Sequence, residues 1–263
     1  METFDVRTGF AKKLFSLLNF KDFRVIAFTG GGGKTSLMFS LAKTLSENGR
    51  IAVTTTTKIF PPSKEQADLC FIGPALDAVK TINATREHTV ITIAETMAGE
   101  KLAGYHPGEI GVICRDSAAD WLLVEADGAR RKPFKAYAEW EPPVPDCTDC
   151  QFVVVGADAF INPLGEENIC RFDRFRAKTG LREADFMTAE NAAAILNDRD
   201  EYLKNSPHHA YRVLFLNKAE LLDETERTRL VHALSASLKG YDRLIAASIR
   251  NDEIFADMAL KRG

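Results

Sequence analysis

Arg24-Val-Ile-Ala-Phe-Thr-Gly-Gly-Gly-Gly-Lys-Thr-Ser36 is the stretch on which the fold turns. Its opening, Arg24 to Phe28, is an apolar run with the character of a buried strand. From Ser36 to Asn48 the spacing predicts a helix, because Leu37, Met38, Leu41, Ala42 and Leu45 fall on one face. Gly49 follows, where a left-handed cap is expected. Strand, glycine loop, Lys-Thr and helix together form the P-loop arrangement for nucleotide phosphates. Gly30, Gly31, Gly32 and Gly33 let consecutive amides turn toward an anion, and the positive end of the helix opened by Ser36 adds to that field. Lys34 is expected to reach the β and γ phosphates, and Thr35 to hold Mg²⁺ through its hydroxyl. The long pattern G-x-x-x-x-G-K-[ST] asks for glycine at position 28, where this chain has Phe28. The match is therefore to the shorter G-G-x-G-K-T over residues 30–35.

Outward from this loop, apolar runs alternate with helical patterns. Ile51–Thr54, Leu69–Ile72, Val90–Ile93, Trp121–Glu125, Phe152–Val155, Arg212–Leu216 and Leu244–Ala247 read as strands. Continuous rather than alternating apolar runs suit strands covered on both faces of a parallel sheet. Ala189–Asn197 and Glu224–Lys239 read as helices, the second with Asp223 and Glu226 in a capping box and Gly240 beyond its end. The expected fold is α/β, a P-loop nucleoside triphosphatase with a mostly parallel sheet flanked by helices. Glu141-Pro-Pro-Val-Pro145 and the residues to Asp149 form a loop. Strand candidates on both sides of it would extend one sheet, so a single domain over 1–263 is expected.

The next chemical station is Trp121-Leu-Leu-Val-Glu-Ala-Asp-Gly128. An apolar strand ending in an acid is where P-loop enzymes place the carboxylate that organises Mg²⁺ and water. Glu125 or Asp127 would hold Mg²⁺ or orient an attacking water, and Gly128 would offer its amide near the γ-phosphate. Arg130, Arg131 and Lys132 follow as candidate anion contacts, equally readable as a solvated basic turn. Thr54-Thr-Thr-Thr-Lys58 ends the second strand, at the edge where ligands bind, and Lys58 joins the candidate anion contacts. Leu216-Asn217-Lys218-Ala219-Glu220 stands where GTP-specific enzymes carry N-K-x-D. Asn217, Lys218 and Glu220 are thus candidate base contacts, with ATP and GTP both open because glutamate replaces aspartate. Arg171, Arg174 and Arg176 form a basic stretch that would clamp an anion, or a solvated face with Phe172 and Phe175 turned inward.

Composition narrows the partners. A net charge of −3 gives no electrostatic ground for nucleic acid. No run approaches the ~20 apolar residues that span a bilayer. Phe10, Leu14, Leu17 and Leu18 place an amphipathic helix at about 8–19, and with Asp5 upstream and no small-residue cleavage site it is a poor signal peptide. Five dispersed cysteines are an odd number, which argues for a reducing compartment, and a cytoplasmic location is expected. Cys147-x-x-Cys150 stands alone, short of the four ligands of tetrahedral zinc.

Thr29-Gly-Gly-Gly-Gly-Lys-Thr35, Val53-Thr-Thr-Thr-Thr-Lys-Ile59, Val124-Glu-Ala-Asp-Gly-Ala-Arg-Arg-Lys132 and Leu216-Asn-Lys-Ala-Glu220 together resemble the YqeC family. That resemblance implies an accessory factor for selenium-dependent molybdenum hydroxylases, with a client hydroxylase or a selenium-donating protein as partner. The acid and Asn-Lys stations also resemble the nickel-insertion GTPases. This likeness implies Mg²⁺ with ATP or GTP, Lys34 and Thr35 on the phosphates and metal, Glu125 as the metal-organising acid and Asn217 at the base. The implied activity is Mg²⁺-dependent nucleotide hydrolysis. Two other readings are a small-molecule kinase using the arginine clamp and a non-catalytic nucleotide-sensing module.

Overall fold

The computed structural model describes residues 9–261. Asp5 lies outside them. The first helix, α1 (Gly9–Leu17), buries Phe10, Ala11 and Leu14. Its first turn is fixed from far away in sequence: the Phe10 amide donates to Asp252 Oδ1 at 2.6 Å. Then come β1 (Val25–Gly30), α2 (Lys34–Leu45), β2 (Ile51–Thr55), β3 (Lys58–Ile59), β4 (Leu69–Ile72), α3 (Ala75–Ala84), β5 (Val90–Ala94), β6 (Thr96–Ala98), β7 (Lys101–Ala103) and α4 (Pro107–Asp116). The middle of the chain forms β8 (Trp121–Glu125), β9 (Phe134–Lys135), β10 (Cys150–Gly156), α5 (Asp158–Ile161), β11 (Ile169–Cys170), α6 (Phe172–Thr179) and α7 (Ala189–Leu196). It ends in β12 (Tyr211–Asn217), α8 (Glu224–Ser237), β13 (Arg243–Ser248) and β14 (Glu253–Ala259).

Nine strands make one sheet in the order β14-β13-β12-β10-β1-β8-β2-β5-β4. Every pairing in it is parallel except β13 with β14. The fold is thus α/β with a mostly parallel sheet. Strands from before and after the Pro142–Pro145 loop flank β1 on either side. Alternate residues explain the layering. Ile26, Phe28, Phe152 and Val154 face α1 and α2. Val153 and Val155 face the opposite way, toward α6, α7 and α8. On the other half of that second face, Ala52, Ile91, Leu122 and Val124 pack against α3 and α4. Phe28, at the place of the missing glycine, is core: it stacks on Phe152 with ring centroids 5.6 Å apart. A strand residue buried on that face has no reason to be glycine.

Four aspartates recur at the amino ends of the strands with one geometry. Asp149, which precedes β10, accepts the Val25 amide at 2.8 Å, and its own amide donates to the Val25 carbonyl at 2.9 Å. Asp120, before β8, makes the same reciprocal pair with Arg50; Asp242, before β13, with Arg212; and Asp68, before β4, with Val90. Each clasp satisfies a backbone amide at or next to the start of a neighbouring strand.

Several expectations change in detail. Gly49 is not left-handed; a Cβ there would lie 2.5 Å from Asp120 Oδ2, so it is small because the clasp carboxylate passes beside it. The helix expected to end at Lys239 ends at Ser237, with its Asp223–Glu226 capping box in place. Leu69–Ile72 is an edge strand, with Leu69 48% and Ile72 44% exposed, so its apolar run does not mark burial on both faces. The small β3-β7-β6 sheet is built from strands of two or three residues, too short to show a period, and the antiparallel β14 is only partly buried, so its alternation is not that of a covered strand.

Candidate functional site

Because the sheet is parallel around β1, the carboxyl ends of β1, β2, β8, β10 and β12 meet at one edge. Gly30 to Gly33 turn there between β1 and α2. Gly30, Gly32 and Gly33 have φ of 93°, 77° and 121°, which non-glycine residues rarely adopt. A Cβ on Gly31 would lie 2.5 Å from the Lys132 carbonyl oxygen. The loop is tied from several sides. The Gly30 amide donates to Asp127 Oδ2 at 2.8 Å, that of Gly31 to the Val154 carbonyl at 2.8 Å, and that of Gly32 to the Lys132 carbonyl at 3.0 Å. These three amides hold the loop's shape. The amides of Lys34, Thr35 and Ser36 open α2, whose first turn has no carbonyl partner within the helix, and they are the donors left to face an anion.

Lys34 is only 5% exposed. Its Nζ donates to the Gly30 carbonyl at 2.7 Å and pairs with Asp127 Oδ1 at 3.0 Å and Glu125 Oε1 at 3.9 Å. Thr35 Oγ1 donates to Glu125 Oε2 at 2.6 Å. Behind them the charges alternate. Asp127 Oδ2 lies 3.5 Å from Lys135 Nζ, which reaches Glu141 Oε2 at 3.4 Å, which in turn meets Arg171 Nη1 at 2.6 Å. Lys135 is fully buried and also donates to the Gly128 carbonyl at 2.7 Å.

The two carboxylates of β8 and its following turn are pushed apart. Burial raises Glu125 above the ordinary carboxylate range, outweighing Lys34 and the Thr35 hydroxyl. Burial would also raise Asp127, but Lys135 and Lys34 together overcome it and hold the group low. Burial opposes the charge on Lys34, yet Asp127 and Glu125 carry its pKa upward. Asp127 is therefore an ionised anchor, and Glu125 is the carboxyl able to exchange a proton nearer neutrality.

The remaining predicted residues divide. Thr55 and Thr56 converge on Glu125 through its carbonyl, which accepts Thr55 Oγ1 at 2.6 Å and the Thr56 amide at 3.1 Å. Thr54 Oγ1 donates to Ile93 O and Thr56 Oγ1 to Pro143 O. Asn217 Nδ2 donates to the Gly32 carbonyl at 2.7 Å, and Asn217 Oδ1 accepts the Ile249 amide at 3.2 Å, so this side chain braces the glycine loop. Lys218 pairs with Asp158 at 2.5 Å, and Glu220 sits on the short turn after it. Gly128 and Arg130 are exposed, and Lys132 Nζ reaches the Ile169 carbonyl at 3.3 Å. Arg131 and Lys101 both stand over the Phe60 ring, at 5.8 and 4.7 Å. Lys58 is exposed. Arg171 and Arg174 are engaged with Glu141 and with the Tyr137 carbonyl, while Phe172 and Phe175 are buried. Lys135 and Glu141 gave no signal in sequence. One is a single lysine in a mixed stretch, the other opens what reads as a proline loop. Among the described residues, no group of three or more His, Cys, Asp or Glu side chains is arranged to hold a metal ion.

Fold and edge together define an α/β protein in which a four-glycine turn leads into a helix beside two buried carboxylates. The chain belongs to the YqeC family: that family's model, described as YqeC protein, matches residues 26–173, which hold the glycine loop and both carboxylates. It is also similar to the "Uncharacterized protein YqeC" of Escherichia coli (strain K12), with 30% identity over 195 residues, covering 74% of this chain and 75% of that protein. No helix among the described residues is long and apolar enough to cross a membrane.

Proposed function

We propose that the chain binds a nucleoside triphosphate with Mg²⁺ at the start of α2 and hydrolyses it. The observation that carries this reading is the 2.6 Å contact between Thr35 Oγ1 and Glu125 Oε2, with Lys34 Nζ 3.9 Å from the other oxygen of the same carboxylate. The two oxygens are hard donors, which suits Mg²⁺. The metal would neutralise charge on the phosphate tail. The amides of Lys34, Thr35 and Ser36 would bind its oxygens in the positive field of the helix. Lys34 would turn from the Gly30 carbonyl toward the β and γ phosphates. Asp127 would remain neutralised by Lys135 when it does so. Glu125 is the group to orient and accept a proton from the attacking water, because it faces the Thr35 hydroxyl while Asp127 is taken up by the Gly30 amide, Lys34 and Lys135.

Lys218 and Glu220 are proposed at the base, which is ATP or GTP, and Asn217 acts there through the loop it braces. Lys58, Arg130 and Arg131 line the approach as candidate anion contacts. Arg171 and Arg174, already paired, lend the kinase alternative no support. Following the family resemblance, the cycle would order the Thr54–Lys58 and Gly128–Lys132 segments. A client molybdenum hydroxylase or a selenium-donating protein in the cytoplasm would be the partner that reads them.

Titration with ATP and GTP, with and without Mg²⁺, tests the site. Metal-dependent binding of one nucleotide is expected. Lys34→Ala should weaken it by roughly 10- to 100-fold, the loss of a charge-assisted hydrogen bond, and abolish hydrolysis with the circular dichroism unchanged. Binding of neither nucleotide, or undiminished turnover in Lys34→Ala, would end the proposal.

A further inference from the structure

A cavity of about 470 Å³ opens beside the carboxyl edge of the sheet, and none of its lining residues belongs to the glycine turn. Thr56 and Thr57, which follow β2, form one side of it; Tyr105 and His106, which precede α4, form a second; Trp140 and Pro143 form a third. Its size is that of a site for one small molecule. Thr56 ties it to Glu125: the Thr56 amide donates to the Glu125 carbonyl at 3.1 Å, and its hydroxyl to the Pro143 carbonyl at 2.8 Å. Trp140 is 72% exposed, although the backbone beyond it is anchored. The next residue, Glu141, is buried against Lys135 and Arg171, and the Pro142 carbonyl accepts Asn205 Nδ2 at 3.1 Å. A large indole held out to water on a fixed turn is a ready stacking face.

The polar groups of the cavity have fixed roles. Thr55 Oγ1 donates its proton to the Glu125 carbonyl at 2.6 Å. In its 3.2 Å contact with Thr57 Oγ1 the Thr57 hydroxyl is therefore the donor, and Thr57 keeps lone pairs with which to accept from a ligand. His106 Nδ1 accepts the Gly108 amide at 3.2 Å, so the neutral ring carries its proton on Nε2, which has no partner among the described residues. The Tyr105 hydroxyl is spent on the Gly73 and Ala94 carbonyls. No lysine or arginine lines the cavity, and the Glu141 carboxylate at its wall is already matched to Lys135 and Arg171. A phosphate or carboxylate has no cation to meet there. We propose that this cavity binds an uncharged planar heterocycle, stacked on Trp140, accepting from His106 Nε2–H and donating an N–H to Thr57 Oγ1. That chemistry belongs equally to the base of a nucleotide and to a separate heterocyclic small molecule. In either case the ring lies beside the strand end that carries Glu125, and the site stands whether or not the chain hydrolyses a nucleotide.

Hypoxanthine, a neutral planar ring with a carbonyl acceptor and N–H donors, is the probe. Tryptophan emission of the full chain reports its binding, because the other of the two indoles, Trp121, is buried with its Nε1 donating to the Phe20 carbonyl at 3.0 Å. Saturable quenching at millimolar or lower concentration is expected. Trp140→Ala, followed by ligand-observed NMR, should weaken binding roughly fivefold or more, the loss of a stacking face. His106→Ser keeps an acceptor to cap the Gly108 amide but loses the donor, and should weaken binding several-fold. Pyrophosphate should leave the emission unchanged. Repeating the titration with saturating Mg²⁺–ATP or Mg²⁺–GTP separates the two sources. Displacement assigns the cavity to the nucleotide's own base, in place of Lys218 and Glu220; retained binding assigns it to a second molecule. Hypoxanthine binding in a chain that takes up no nucleotide keeps this site and ends the proposed hydrolysis. The inference is overturned if hypoxanthine changes neither the emission nor the NMR signal, if Trp140→Ala binds it as well as the parent does, or if pyrophosphate quenches the emission in its place.

Discussion

The two edges of the central sheet use the same residue type in opposite ways. At the amino edge, Asp68, Asp120, Asp149 and Asp242 each face a backbone amide, partly open to water, in a repeated reciprocal clasp. At the carboxyl edge, Glu125 and Asp127 are buried, and their main counterparts are lysines. An aspartate matched to neutral amides is a fastener whose charge stays hydrated. A buried carboxylate matched to ammonium groups is stable only while every partner is present. The first arrangement closes a strand; the second can exchange one partner for a ligand. The sheet therefore keeps its fastenings and its chemistry at different ends.

Removing one member from each edge measures that difference. Asp127→Ala strips Lys34 and Lys135 of their shared anion, leaving two buried cations with less than their charge balanced. A loss of about 3–5 kcal/mol is expected in urea unfolding. Asp149→Ala leaves the amides of Arg24 and Val25 without their acceptor at the edge of β1. Water can reach this site, so about 1–3 kcal/mol is expected. A larger loss at Asp149 than at Asp127 would mean that the buried charge network is not what distinguishes the edges. Asp120→Ala, at an exposed clasp with a single side-chain bond to the Arg50 amide, should cost less again, about 1 kcal/mol.

The same contrast explains what the sequence reveals. Trp121–Glu125 is a strand at the boundaries that its apolar run predicts, because strand burial writes itself into composition. The glycine turn is legible because three of its residues require φ values that only glycine adopts readily. Long-range pairing leaves no such mark. Nothing near Lys135 in the sequence says that it is fully buried between Asp127 and Glu141, since the salt bridge is made by the turn that follows β8 and not by any period. The clasps are hidden for the same reason: Asp120 and Arg50 are 70 positions apart. Asn217 is legible as a member of Asn-Lys-x-Glu, but its two bonds to Gly32 and Ile249 are a property of the assembled edge.

The finest test lies within the carboxyl edge, between two acids separated by one alanine. Glu125 has a pKa raised from its ordinary 4.5, so the fold favours its protonated form. Its contribution is most favourable below that ordinary value and is lost as pH rises through the folded-state value. Asp127 has a pKa lowered from its ordinary 3.8, so its contribution is present above that value and is lost as pH falls through the folded-state value. Glu125→Gln keeps an acceptor for Thr35 and removes only the titration. The variant should therefore gain stability relative to the parent as pH rises above 4.5, in paired urea melts. Asp127→Asn should behave in the reverse sense, its deficit against the parent being full above pH 3.8 and shrinking as pH falls below it. Parallel slopes for the two variants would show that burial treats both carboxylates alike. The division of labour between an ionised anchor and a proton-exchanging neighbour would then have no basis at this edge.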